Sequence, residues 1–337
     1  MNAISRVAGR MRDGIAGRMG NLHFGIRAAA LALPVAVLLF IIAFFIEYRI
    51  DDNPDLQPNP SLTVKGGSKA VTMAATLMDL EINHTGWAPN RLWYHPIAYS
   101  SNMKNYQKGI QYAVARWAVE MADILGRERG SGEADGDLTN ASGHFKYDPE
   151  AWLLPSAVTQ YNKGIEGIEA YNKRLAAGQA KYDKIASNLA MFLDRISKDL
   201  GSQSAALELT VLSPDDFTPD EKKHLTDNER ATLSSNGGYF DGRAGAAFYA
   251  TKGRLYAYYI LLKAIGEDYA DVLAAKHAEE HWANMMVSLR SAATFSKFFV
   301  ANGGAGSYFT PSDLSTQGFH LLRADKQLEE LTDILNK

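Results

Sequence analysis

Apolar residues recur every three to four positions through most of this 337-residue chain, and in one stretch near the start they are continuous. From Ala28 to Ile46 the sequence "AAALALPVAVLLFIIAFFI" carries no charged or strongly polar side chain. Nineteen residues at 1.5 Å each span roughly 28 Å, close to the hydrocarbon thickness of a bilayer, so a transmembrane helix is predicted here. Pro34 lies in its first third, where a membrane helix tolerates a kink. A cleaved signal peptide fits less well. Its apolar core is usually about 7–15 residues long and ends in small residues, whereas this one runs into "FFIEYRIDDNP".

Beyond the apolar stretch, "DDNPDLQPNPS" with its three prolines reads as an extended linker. The remainder has helical period and no convincing strand alternation. Val71, Ala75, Met78 and Ile82 mark one helix; Met103, Tyr106, Ile110, Ala113, Trp117, Met121 and Ile124 mark another. Steps of four and three from Tyr161 through Ile165, Ile168, Asn172, Leu175, Gln179, Tyr182, Ala186, Leu189, Leu193 and Ile196 to Leu200 trace the seam of a long coiled-coil-like helix. Gly178 beside Asn172 and Gln179 suggests a kink or short break, and the seam is expected to be buried within the same chain. Phe248, Leu255, Tyr259 and Leu262, with Tyr249, Tyr256 and Ile260 beside them, form an aromatic stripe of the kind that usually belongs to a core. A further helix is predicted from about Glu267 to Val300, and Leu321, Ala324, Leu328, Leu331 and Leu335 mark a terminal one. The fold class is therefore all-α: one N-terminal transmembrane helix, then a helical bundle with long coiled-coil-like helices.

Charge gives the orientation. Residues 1–27 hold five arginines and one aspartate, a net +4, so the rest of a chain at −3 overall carries −7. By the positive-inside rule the basic arm 1–27 is cytoplasmic, residues 28–46 span the inner membrane, residues 47–61 are linker, and residues 62–337 form a periplasmic all-helical domain. Ile4, Val7, Met11, Ile15, Met19 and Leu22 give the arm an amphipathic period suited to the headgroup region. A body at −7 has no cation excess for phosphates, which argues against nucleic acid as a partner. Ala28, Ala32 and Ala36 form a small-xxx-small series that would allow homo-oligomers.

Candidate chemistry is sparse. With no cysteine, thiolate ligands, disulfides and thiol nucleophiles are excluded. "KHAEEH" contains His277-x-x-Glu280-His281, the spelling of an inverted zinc-protease motif. If helical, the two histidines lie one turn apart and could share a zinc, with Glu280 as general base. A third ligand would have to come from Asp313, Asp325, Glu329 or Glu330, with nothing to select one, and a polar helix face is the better reading. "GRERGSGEADGDLTNASGH", Gly126 to His144, offers Glu133, Asp135 and Asp137 but fails the calcium-loop spacing, and is expected to be a mobile loop. "NGGAGS" lacks the Lys-Ser/Thr of a phosphate loop. No catalytic, cofactor-binding or metal residue is assigned.

The segments "SKAVTMAATLMDLEI", "GHFKYDPEAWLLPSAVTQYNKGIEGIEAYNKRL" and "FDGRAGAAFYATKGRLYAYYILLKAIGEDYADVLAAK" resemble domain of unknown function 2333, a family of bacterial inner-membrane proteins with one N-terminal anchor. The likeness covers most of residues 60–337 and includes no catalytic motif. What it implies is a bacterial envelope setting, without an activity. The expected role is a structural or adaptor component of an envelope assembly, with the bilayer and a membrane or periplasmic protein as partners. One alternative is a periplasmic ligand-binding or sensory bundle with a Tyr/Trp-rich pocket; a second is a zinc hydrolase using His277, Glu280 and His281.

Overall fold

Among the described residues, five helices of the body begin on a side chain that accepts from backbone N–H groups of their first turn. Ser68 opens α1 (Lys69–Asp79), Ser100 opens α2 (Ser101–Glu120) and Asp135 opens α3 (Gly136–Phe145). Ser156 opens α4 (Ala157–Ala176), and Ser312 opens the terminal helix, α8 (Asp313–Asn336). Each cap answers N–H groups that have no partner inside the helix and contributes about 1 kcal/mol. Between them lie α5 (Ala186–Val211), α6 (Gly242–Asp268) and α7 (Glu279–Thr294), with short helices at Pro219–His224 and Ala270–Ala275. This computed structural model describes residues 32–42, 50–92, 95–125, 134–211, 218–227, 229–230, 242–297, 300–302 and 312–337. Among them there is no strand; the one β-bridge joins Asn302 to Ser312.

The chain divides into two compact units, Met1–Arg49 and Ile50–Lys337. In the first, residues 32–42 are helical with every side chain exposed. Among the described residues no helix is long and apolar enough to cross a membrane. Residues 32–42 amount to roughly 16 Å of helix. The basic arm and both ends of the apolar stretch, 28–31 and 43–46, lie outside the described residues.

In the second unit α6 is the hub, packed by α1, α2, α5, α7 and α8. It is buried on nearly every side, the signature of a core helix with no solvent face. The aromatic stripe is core: Phe248, Leu255, Tyr256 and Leu262 are all buried. Against α2 the two backbones touch. A Cβ on Gly253 would stand 2.0 Å from the carbonyl oxygen of Tyr106, and one on Gly109 would stand 2.1 Å from that of Ala250. Only glycine permits that approach. The helices α3 and α4 pack together and rest on α2 and α1 respectively, while α5 and α8 pair lengthwise and α7 bridges α6 and α8.

The expected core positions of α1, α2 and α8 are buried without exception, from Val71 through Ile124 and from Leu321 to Leu335. Two expectations are corrected. The long seam is two helices and not one coiled-coil-like helix, with the break expected at Gly178: α4 stops at Ala176 and α5 starts at Ala186. Gly178, at φ +71°, ends α4: its N–H bonds Leu175 O and the Gln179 N–H bonds Arg174 O, closing the last turn. The halves of the seam then serve different partners, α4 facing α1 and α3, and α5 facing α8. The second correction concerns Gly126–His144. Residues 136–145 are helix α3, because Asp135 caps it and Arg174 bonds both Asp135 (2.7 Å) and Asp137 (2.6 Å). The carboxylates weighed as calcium ligands therefore hold an arginine; Glu133 lies outside the described residues.

Candidate functional site

Residues 51–59 are laid on the body. Tyr106 donates to Asp51 O (2.8 Å) and Tyr256 to Asn53 O (2.9 Å). Between them Lys252, completely buried, donates to Asp52 Oδ2 (2.7 Å), Ala293 O (3.0 Å) and Phe295 O (3.0 Å). All three ammonium protons are placed, two of them on carbonyls at the end of α7. Burial pulls the lysine below its ordinary range, and Asp52 opposes that pull. Asn59 continues the attachment, its N–H on Thr76 Oγ1 and its amide on Asp79. What reads as a linker is thus, from Ile50 onward, a strap over the core.

Glu81 sits behind this strap, buried in the π-helical turn Leu80–His84 that extends α1. Burial pushes its carboxyl up to about 7; a hydrogen bond from Gln107 (2.9 Å) opposes the shift and the charge of Asp51 adds to it. Gln107 also donates to Gly86 O and accepts from Ala88 N–H, so one amide ties three segments together.

At the other end of α1, first-turn N–H groups are answered from afar. Asp268 accepts from Lys69 N, Ala70 N and Ser68 Oγ, and Asn172 Oδ1 accepts from Ser68 N (2.7 Å). A carboxylate here is favoured by the helix dipole. Beside it lies a cavity of about 450 Å³, walled by Leu56, Val64, Met73 and Ile260, with the Lys69–Glu267 ion pair (2.8 Å) among its lining. Its size suits a small organic ligand.

A third cluster joins α2, α5 and α6. Asp199 accepts from Tyr112 (2.9 Å) and Tyr258 (2.7 Å), and Arg254 stacks on the Tyr112 ring at 3.7 Å. Burial first, and the Asp199 charge second, push both phenols up, which makes them poor nucleophiles. Farther along α2, Arg116 pairs with buried Glu120 (2.8 Å), whose carboxyl burial also raises. This is an electrostatic seam between helices. Its tyrosines act as hydrogen-bond donors to a carboxylate.

The family model for DUF2333, described as "Uncharacterized protein conserved in bacteria", matches residues 50–337, the same span as the second compact unit. The chain belongs to the DUF2333 family. Comparison with curated proteins and with solved structures found no match. The strap, Lys252 and Glu81 therefore all belong to the DUF2333 region, whereas residues 28–46 precede it.

Within that region the histidine motif does not have the geometry its spelling suggests. The predicted helix 267–300 is broken: one short helix ends at Ala275 and α7 starts at Glu279. His277 occupies the turn between them at φ +52°, in the left-handed region. Its N–H bonds Ala274 O and the Ala278 N–H bonds Leu273 O, with Ala278 and Leu273 both buried, which is the same helix ending that Gly178 makes. His277 and His281 are thus not one helical turn apart, and both are exposed, as is Glu280. Among the described residues no group of three His, Asp or Glu side chains could hold a metal ion. Three of the four carboxylates weighed as a third ligand are engaged elsewhere: Asp313 with Lys297 (3.1 Å), Asp325 with Ser197, and Glu329 with Lys326 (2.8 Å).

Pattern reading did not single out Lys252, Glu81, Gln107 or Asp268. Only Asn172, polar at a seam position, was visible as an exception, and its partner at Ser68 was not. A charged residue inside the aromatic stripe, as Lys252 is, was the available signal.

Proposed function

We propose that this DUF2333 protein is a single-pass protein of the bacterial inner membrane, with residues 1–27 cytoplasmic, residues 28–46 in the bilayer and the helical body in the periplasm. There it serves as a structural or adaptor component of an envelope assembly. The nineteen-residue uncharged apolar stretch preceded by five arginines carries the reading. The helical conformation of residues 32–42, with exposed side chains throughout, supports it. The strap supports a structural role, because a body attached through its own core transmits position and force to an anchor better than one on a free tether. The experiment is a C-terminal fusion to a reporter active only in the periplasm. Activity is expected, and a well-expressed but silent fusion would reverse the orientation. Photo-crosslinking in native membranes then identifies a protein partner or a second copy of the chain.

A second reading, a periplasmic ligand-binding or sensory bundle, draws on the cavity of about 450 Å³ beside α1. It predicts that filling the cavity, for example with Ala264→Phe, abolishes a response while leaving membrane insertion unchanged.

A further inference from the structure

The segment between α3 and α4 presents its largest apolar side chains to solvent. Trp152 is 59 % exposed, Leu153 63 % and Leu154 96 %. Scattered exposed apolar residues are ordinary, but three large ones in succession are not. Nor are they on a loose loop. Pro149 O accepts from Trp87 Nε1 (2.8 Å), and Ala151 O accepts from both Asn90 Nδ2 (3.0 Å) and Ala157 N (2.9 Å). Tyr147 donates to Pro155 O (3.2 Å) from the other side. The turn is held at its base while its tip is left apolar and wet.

We infer that Trp152, Leu153 and Leu154 form a lipid-contacting tip that enters the membrane interface, an inference that rests on the anchored reading above. The place of the tip in the body supports a bilayer as occupant. Three consecutive residues of α2 carry the strap and the base of the tip together. Tyr106 holds Asp51, Gln107 holds the turn at Gly86–Ala88 whose Trp87 holds Pro149, and Lys108 pairs with Glu150. The strap is fixed from Asp51, so only residues 47–50 separate the apolar stretch from a pinned position. Four residues span at most about 17 Å from Ile46 to Asp51. So short a covalent connection would keep an apolar surface of the body at high effective concentration relative to lipid. Tryptophan with leucine is also the composition that favours the headgroup–acyl boundary, where an indole sits with its N–H toward water.

The chain has no cysteine, so single cysteines report cleanly. Full-length protein carrying Leu154→Cys, Val37→Cys or Glu279→Cys is labelled with an environment-sensitive fluorophore and reconstituted in phosphatidylethanolamine/phosphatidylglycerol vesicles. Brominated lipids are then introduced. The expected result is a blue-shifted Leu154→Cys signal quenched several-fold more than that of Glu279→Cys, with Val37→Cys quenched as well. Quenching at position 37 without quenching at 154 would overturn the tip and leave the anchor standing. A blue shift at 154 that brominated lipid does not quench would overturn it in favour of a protein partner. No quenching at 37 would remove the anchored reading and the tip with it. Trp152→Ser with Leu154→Ser serves as the companion variant: both sites are exposed, so the fold survives, and the labelled body at a neighbouring exposed position, Asp148→Cys, loses its proximity to bromolipid.

Discussion

The pairing of α5 with α8 and the packing of α1 and α2 against α6, with α4 resting on α1, solve the same problem in different ways. The first is an apolar seam: Leu189, Leu193, Ile196 and Leu200 on one helix and Leu321, Ala324, Leu328 and Leu331 on the other, all buried. Its stability comes from area removed from water, spread over many similar residues. The second is also apolar but is fastened at a few polar points of great sequence separation. Lys252 with Asp52, Gln107 with Glu81, and Asp268 and Asn172 with the start of α1 are such points. A seam of the first kind can slide or be repacked. Points of the second kind fix one register, because a buried donor or acceptor without its partner is costly.

That contrast can be broken most forcefully at Lys252. Lys252→Ala leaves the Ala293 and Phe295 carbonyls and Asp52 without their donor, and a loss of about 3–5 kcal/mol is expected in denaturant unfolding. Lys252→Met, which keeps the volume but also removes the donor, should cost nearly as much, because the two carbonyls stay unpaired. A Met variant that costs much less than the Ala variant would show that packing, and not the lost donor, matters there. At the seam, Leu328→Ala should cost about 2–4 kcal/mol, and exchange for Met about 1 kcal/mol. Such tolerance is not expected of Lys252.

Glu81 supplies the pH test. Its carboxyl titrates at about 7 when folded against an ordinary value of 4.5, so between these values the folded state binds more protons than the unfolded. The stability it contributes is full below pH 4.5 and is lost as pH rises through 7. Glu81→Gln should therefore flatten the pH dependence over that window and stabilise the protein at pH 8 by up to about 3 kcal/mol. Parallel pH profiles for wild type and variant would contradict this placement of Glu81.

The smallest effect belongs to the turn at His277. A non-glycine residue at φ +52° is strained, so His277→Gly should stabilise by about 1 kcal/mol or less, and His277→Val should destabilise. A helical His277 would give the opposite order, because glycine is the poorer helix former.

How much of this was legible in the sequence follows the same division. The seams were, because helical period exposes them directly: the buried faces of α2 and α8 match the spacing from Met103 to Ile124 and from Leu321 to Leu335. Helix ends were less so. Gly178 announced a break, yet its twin at His277 was hidden, since nothing local distinguishes a histidine in a left-handed turn from one in a helix. The glycine-rich run before His144 looked like a loop because the residue that orders it, Arg174, is 39 positions from Asp135. The strap was hidden for the same reason: Asp52 meets Lys252 from 200 positions away. Periodicity reports what a residue does to its own helix, and says nothing of the partner that a polar side chain finds across the fold. The tip at Trp152–Leu154 is the converse case, an apolar run that spacing alone would send to the core.

The central claim is that the chain is part of the folded core from Asp51 onward, so that residues 51–61 are a strap and not a free linker. A direct measurement is the distance distribution between two nitroxides in the full-length protein, at Gln57→Cys and Glu279→Cys. A second pair, Lys198→Cys and Glu279→Cys, lies within the body and serves as the reference. All three sites are exposed. The account predicts one narrow peak for the Gln57 pair, as sharp as that of the reference. A broad distribution for the Gln57 pair beside a narrow reference would contradict it, and would return residues 50–61 to the free linker that their prolines suggest.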